Sequence, residues 1–202
     1  TYTGTAQTLT GVTAEGLLDG HTHNVAAKAE GTDAGEYPGT ITAAEDVKIL
    51  AGEQDVTKNY EITTTPGTLN IIKAEAEVTV TITGNSDTVG YDGKSQEVTG
   101  FTFEAPESVT VALKEGKEAK ASGTDAGTYP MGLTAEDFTV TSPNYSNIKV
   151  VVKDGSLTIN PRQVTLTSAS DSKAYDGTAL TNQKVTVSGD GFAEGESASY
   201  DV

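Results

Sequence analysis

His21 and His23 are the only histidines in the chain. On a strand, positions i and i+2 face the same way, so both imidazoles could reach one metal ion. A zinc site needs a third ligand, and the sequence marks none. An internally similar stretch, Thr110 to Leu113, carries no histidine. Histidines in solvent at a loop tip are therefore expected. Asp33 and Asp125 occupy matching Asp-Ala-Gly loops that could offer carboxylate and backbone oxygens to Ca²⁺. The dense Asp spacing of calcium loops is missing, and an Asx-turn onto the local backbone accounts for an Asp at such a place. With 29 acidic residues, some carboxylates must lie close together. A pair of that kind could hydrolyse a glycoside, but no Trp or other aromatic platform accompanies one. Asn160 and Lys173 flank strands that could be neighbours, which is the residue pair of an isopeptide crosslink. Residues Ala76 to Gly84 contain no Lys to serve Asn160 in the same role. Tyr60 and Tyr145 each follow an Asn. Either ring could stack on a sugar or anchor a loop. The expectation is no catalytic residue, no metal and no cofactor, with Tyr60 and Tyr145 as candidate ligand contacts.

Composition limits the classes of partner. The 202 residues carry a formal charge of −16, with a pI near 4.3. Arg162 is the only arginine. A binder of nucleic-acid phosphates needs Lys and Arg to displace counterions, so no nucleic-acid partner is expected. No apolar run approaches the roughly 18 residues of a membrane span, so membrane insertion is not expected. Cysteine is absent, which excludes disulfides, thiolate metal sites and thiol chemistry. The chain holds 33 Thr and 22 Gly. Thr suits a pleated, half-exposed surface and Gly suits turns, so the class expected is all-β.

The elements that would position these residues recur along the chain. Tyr2-Thr3-Gly4, leading to Gln7-Thr8-Leu9-Thr10-Gly11, matches Tyr91-Asp92-Gly93, leading to Gln96-Glu97-Val98-Thr99-Gly100. Gly31-Thr32-Asp33-Ala34-Gly35 with Tyr37-Pro38 returns as Gly123-Thr124-Asp125-Ala126-Gly127 with Tyr129-Pro130. Asn59-Tyr60 matches Asn144-Tyr145, and Gly67 to Ile71 matches Gly155 to Ile159. A third copy opens with Val164 to Thr167 and Tyr175-Asp176-Gly177. The repeats are placed at 1–72, 73–160 and 161–202, with a period near 85–89 residues. The first lacks the strand that precedes Tyr91 and Tyr175, and the third stops short of its Asp-Ala-Gly element. The chain is therefore expected to be part of a longer array, and its unpaired edges to invite head-to-tail strand pairing.

Each unit reads as a succession of short strands. An alternating strand (Val78, Val80, Ile82) leads to the Tyr-Asp-Gly turn, where Gly accepts positive φ. A second strand runs through Val98 to Phe103, and a third spans Val109 to Leu113 with a charged tip at Lys114 to Lys117. Phe138 to Val140 precede a turn at Ser142 to Asn144. Asn147 to Val152 then meet Leu157 to Ile159 across Asp154-Gly155, a hairpin signal. Lys73 to Glu77 could form a helical turn at the joint between copies, too short to stand alone.

The order Tyr-Asp-Gly, Gly-Thr-Asp-Ala-Gly-x-Tyr, Asn-Tyr, Gly-Ser-Leu-Thr-Ile-Asn-Pro resembles the MBG-type repeats of bacterial extracellular proteins. The resemblance covers essentially the whole chain. It implies display on a bacterial cell surface, tandem array architecture, and no catalytic residue. Asp125-x-Gly127-x-Tyr129, repeated as Asp33, Gly35 and Tyr37, also resembles the tyrosine corner of immunoglobulin-like sandwiches. Two features depart from that pattern. The chain has no Cys pair or core Trp, and Pro130, directly after the Tyr, lacks the N–H that a central strand needs. Tandem small Ig-like β-sandwiches are expected, with β-grasp-like units as the alternative. The function expected is a non-catalytic stalk or spacer, each unit spanning on the order of 30–40 Å. The alternative is an adhesin module that binds host glycan or extracellular protein.

Overall fold

Alternating β-branched and apolar residues give the described part of this chain many short strands and almost no helix. The computed structural model describes residues 1–199. Their only helical segments are single 3₁₀ turns at Ala44–Asp46, Thr57–Asn59 and Ala135–Asp137. The fold is all-β. Among the described residues no helix is long and apolar enough to cross a membrane. The joint at Lys73 to Glu77 is not a helical turn. Ala74 instead forms a parallel bridge with Tyr145.

Two compact units are present, and their limits do not coincide with the sequence repeats. The first comprises Thr1–Thr79, Pro106–Thr110 and Val140–Lys149. Within it, Ala27–Gly31 pairs antiparallel with Gln7–Thr10 on one side and Thr40–Ile41 on the other. His21–His23 pairs with Ile49–Ala51, and Gly35–Pro38 with Thr68–Ile71. Ala29, Val47, Ile49, Ile71 and Val109 are its buried apolar residues.

The second unit comprises Val80–Ala105, Val111–Thr139 and the segment from Val150 on. Ser156–Asn160 is central there, parallel to Asp87–Gly90 and antiparallel to Gly127–Pro130. Leu157 and Ile159 are fully buried against Ala121, with Val89, Val98 and Tyr129 around them. Burying each large aliphatic side chain contributes about 1.5–3 kcal/mol over leaving it in water. Val80 and Ile82 alternate inward along Val78–Gly84, which lies between Phe101–Glu104 and Ile148–Lys153.

Two sequence expectations change here. The stretch from Val98 to Phe103 is not one strand. It breaks at Gly100, where φ is +90°, and its halves pair with different partners, Lys120–Gly123 and Val78–Gly84. Asp154-Gly155 is not a hairpin turn either. Ile148–Lys153 and Ser156–Asn160 belong to different sheets, so Asp154-Gly155 forms a corner between them. The Asp154 carboxylate accepts the N–H groups of Gly132 and Leu133 at 2.9 and 3.0 Å. A Cβ on Gly155 would stand 2.2 Å from the Asn85 carbonyl oxygen. Glycine is needed there because two backbones meet. The short strand Asp87–Gly90, just before Tyr91, carries too little alternation to stand out in the sequence.

Candidate functional site

The repeated Asp-Ala-Gly loops are held by their tyrosines. The Tyr37 hydroxyl donates to the Asp33 carbonyl at 2.9 Å, and the Tyr129 hydroxyl to the Asp125 carbonyl at the same distance. A hydroxyl bonded to backbone a few residues upstream is the bond of a tyrosine corner. Each ring lies on a glycine. A Cβ on Gly31 or Gly123 would fall 2.3 Å from a ring carbon of Tyr37 or Tyr129. Gly35 and Gly127 begin the short strands that carry the rings. Pro38 and Pro130 end those strands, each of which pairs on one side only, so their missing N–H costs no ladder bond.

In the first unit this loop receives Asn144, whose side chain is fully buried. Asn144 Nδ2 donates to Asp33 Oδ1 at 2.8 Å and to Ser108 Oγ at 2.9 Å. Asn144 Oδ1 accepts the Ala34 N–H at 2.7 Å. A carboxylate can only accept and an N–H can only donate, so these partners fix the orientation of the amide. The Asn144 N–H donates to Ser142 Oγ at 3.1 Å, and its carbonyl accepts the Ala74 N–H at 2.8 Å. Lys73 Nζ donates to the Ser142 carbonyl at 2.9 Å. The Tyr145 ring meets Tyr2 edge-on, with centroids 5.5 Å apart. Burial raises the Tyr145 phenol above its ordinary value, with Tyr2 adding to the effect. Ser108 has a φ of +64°, unusual for a non-glycine residue, and its hydroxyl is held by the amide. Asp33 therefore bonds to Asn144 and makes no Asx-turn.

The Asx reading suits the Tyr-Asp-Gly turns instead. Asp92 Oδ1 accepts the Lys94 N–H at 2.9 Å, and Gly93 has a φ of +77°. Asp176 Oδ1 accepts the Thr178 N–H at 2.9 Å. Bonds from Lys173 and then Thr178 hold the Asp176 carboxyl below the ordinary carboxylate range. Gly177 has a φ of +77°, and Tyr175 lies almost wholly in solvent. Tyr91 packs on the core of the second unit, and its hydroxyl donates to Glu196, which raises the phenol above its usual value.

The histidines are not at a solvent loop tip. They lie half-buried on the strand His21–His23, facing the same way. Pairing with Ile49–Ala51 sets them against the core. His21 Nδ1 is 2.6 Å from the Tyr60 hydroxyl, and His23 Nδ1 accepts the Val25 N–H at 3.2 Å. Tyr60 and His23 line a cleft of about 470 Å³ with Val25, Ile49 and Thr64. Tyr60 and Tyr145 thus have different environments despite matching sequence positions. Thr57–Asn59 coils into a 3₁₀ turn before Tyr60, whereas Ser142 to Asn144 run into the Asp33 loop. Among the described residues no three His, Asp or Glu side chains gather as a metal site. Asn160 and Lys173 do not meet. Asn160 lies opposite Gly90, and Lys173 Nζ is 2.9 Å from an Asp176 oxygen.

Asp137 carries a strongly lowered carboxyl. Lys117 Nζ stands 2.7 Å away, and the Thr134 N–H and hydroxyl each donate at 2.8 Å. Lys117 first, then Thr134, hold this carboxyl at about 2. The same contact raises the Lys117 ammonium. This is a capping box on the turn Ala135–Asp137, so its chemistry is structural.

Sequence reasoning singled out the loops and the Asn-Tyr pairs but missed their connection. In the sequence Asn144 reads as the last residue of the turn Ser142 to Asn144 and as the neighbour of Tyr145. Only its recurrence as Asn-Tyr, after Asn59-Tyr60, marks it there. Compared with protein-family models, curated proteins and solved structures, the chain matches none.

Proposed function

We propose that this chain is a non-catalytic spacer segment of a bacterial surface protein, built from tandem repeats of MBG type. Its units are read as small Ig-like sandwiches, supported by the two tyrosine corners. One observation carries the spacer reading. Asn144, from the second repeat, is fully buried in the Asp33-Ala34 loop of the first, with its amide satisfied on three sides. A buried polar contact of this kind specifies one arrangement, because a partner left unpaired costs about 1–3 kcal/mol. The contact ties a segment of the second repeat into the first compact unit, so that adjacent repeats share one fold. The high negative charge keeps a displayed array soluble. The work of the segment is then mechanical, holding a distal domain away from the cell.

A second reading is favoured by the cleft beside Tyr60, which joins an aromatic face and His23 to apolar walls. That composition suits a sugar or a peptide side chain, as an adhesin module would need. The intact chain applied to glycan and extracellular-matrix arrays separates the two. The spacer reading expects no reproducible binding by the folded chain. Micromolar binding lost in Tyr60→Ala would overturn it and place an adhesive face at this cleft.

A further inference from the structure

A cleft of about 270 Å³ in the second unit is lined by Tyr91, Asp125, Ala126, Pro161, Arg162 and Phe192. The first five stand at the repeat positions of Tyr2, Asp33, Ala34, Lys73 and Ala74. In the first unit every one of those five touches the segment Ser142 to Tyr145. Tyr2 meets the Tyr145 ring, Asp33 and Ala34 hold the Asn144 amide, Lys73 binds the Ser142 carbonyl, and Ala74 binds the Asn144 carbonyl. In the second unit the tyrosine corner shapes the loop in the same way. Among the described residues, however, the Asp125 carboxylate and the Ala126 N–H have no hydrogen-bond partner.

A second observation points to the same occupant. Val78–Gly84 has neighbours on both sides, Phe101–Glu104 and Ile148–Lys153. Its counterpart Val164–Ser168 pairs, among the described residues, with Val185–Gly189 alone. Among the described residues its other edge has no strand partner, and Leu166 on this strand is exposed. The strand that fills this place in the second repeat, Ile148–Lys153, follows Asn144-Tyr145 by a few residues. Socket and open edge are thus filled in the second repeat by one continuous segment. Arg162 holds the surroundings in place, its Nε on the Gly191 carbonyl at 2.8 Å and its Nη1 on the Tyr91 carbonyl at 3.3 Å.

We infer that the Tyr91–Asp125–Ala126–Arg162 cleft is a docking socket for the Asn-Tyr segment of another repeat of this kind, with the following strand added to the edge of Val164–Ser168. The Asn amide donates to the Asp125 carboxylate and accepts the Ala126 N–H, while backbone ladder bonds complete the sheet edge. The natural occupant rests on the tandem-array reading, but the socket can be tested without it.

The test titrates the isotope-labelled intact chain with a synthetic peptide of residues 142–153, followed by backbone amide NMR. The expected result is saturable shifts at Ala126 and along Val164–Ser168, with affinity falling about tenfold for a peptide carrying Asn144→Ala, the loss of one to two hydrogen bonds. Absence of shifts at millimolar peptide would overturn the inference. So would equal binding by the Asn144→Ala peptide, or shifts confined to the Asp33-Ala34 loop, which would mean that the peptide only displaces the chain's own segment. Failure here would leave the array-screen result untouched, and ligand capture on the arrays would not bear on the peptide result.

Discussion

Replacing Asn144 by Ala removes the one side chain that connects the Asp33-Ala34 loop to Ser108. Three hydrogen bonds disappear, at 2.7, 2.8 and 2.9 Å. The half-buried Ala34 N–H keeps no partner, which costs about 1–3 kcal/mol. The exposed Asp33 carboxylate can turn to water, so its lost bond counts for less, about 1 kcal/mol. The Ser108 bond also goes, and the residue's left-handed backbone loses its support. The total is about 3 kcal/mol, a large share of the stability of a small domain. In urea, with a slope of about 1–3 kcal/mol per molar, the midpoint of the first unit falls by about 1–3 M. The chain lacks Trp, so intrinsic Tyr fluorescence reports the transition, and Tyr2 and Tyr145 lie at the affected contact. Asn144→Asp sharpens the test. It keeps the acceptor for Ala34 but turns a second carboxylate toward Asp33. The loss is then at least as large near neutral pH and shrinks in acid, once the new carboxyl is protonated and donates. A loss below about 0.5 kcal/mol in Asn144→Ala, the level of an ordinary surface change, would refute the argument that this contact joins the repeats.

Two other predictions concern the loop and the cap. Gly123→Ala drives a methyl group into the Tyr129 ring, which packs against the buried core. It should cost more than about 2 kcal/mol, as overpacking does, and nearly nothing in a Tyr129→Ala background. Thermal unfolding of the four variants measures the coupling, and additive losses would contradict the ring-on-glycine packing. Asp137 titrates at about 2 in the fold, against an ordinary value of 3.8. A lowered carboxyl contributes stability above the unfolded value and loses it as pH falls through the folded one. The gap in urea midpoint between the parent chain and Lys117→Met should be full at pH 7, begin to close below about pH 4 and be small near pH 2. A gap unchanged at pH 2 would show that Lys117 acts by packing and not by charge.

The repetition of Tyr-Asp-Gly, Asp-Ala-Gly and Asn-Tyr, the Thr and Gly content and the alternation of Val80, Ile82, Leu157 and Ile159 are local properties. They were legible because turn chemistry and strand period depend on neighbouring residues. Those properties determined the all-β class, the tyrosine-corner bonds of Tyr37 and Tyr129 and the solvent-side turns at Asp92 and Asp176. Which strands pair is not local. Gly100 and Asp154-Gly155 read as a continuous strand and a hairpin, yet both are corners, because a glycine that permits a turn also permits two backbones to touch. The histidines read as a solvent tip, but the pairing of His21–His23 with Ile49–Ala51 set them against the core. Asn144 looked like an ordinary turn residue. Only the tertiary structure, by bringing a loop from more than a hundred residues away, made it the buried link between repeats, since its value lies in partners that no sequence spacing specifies.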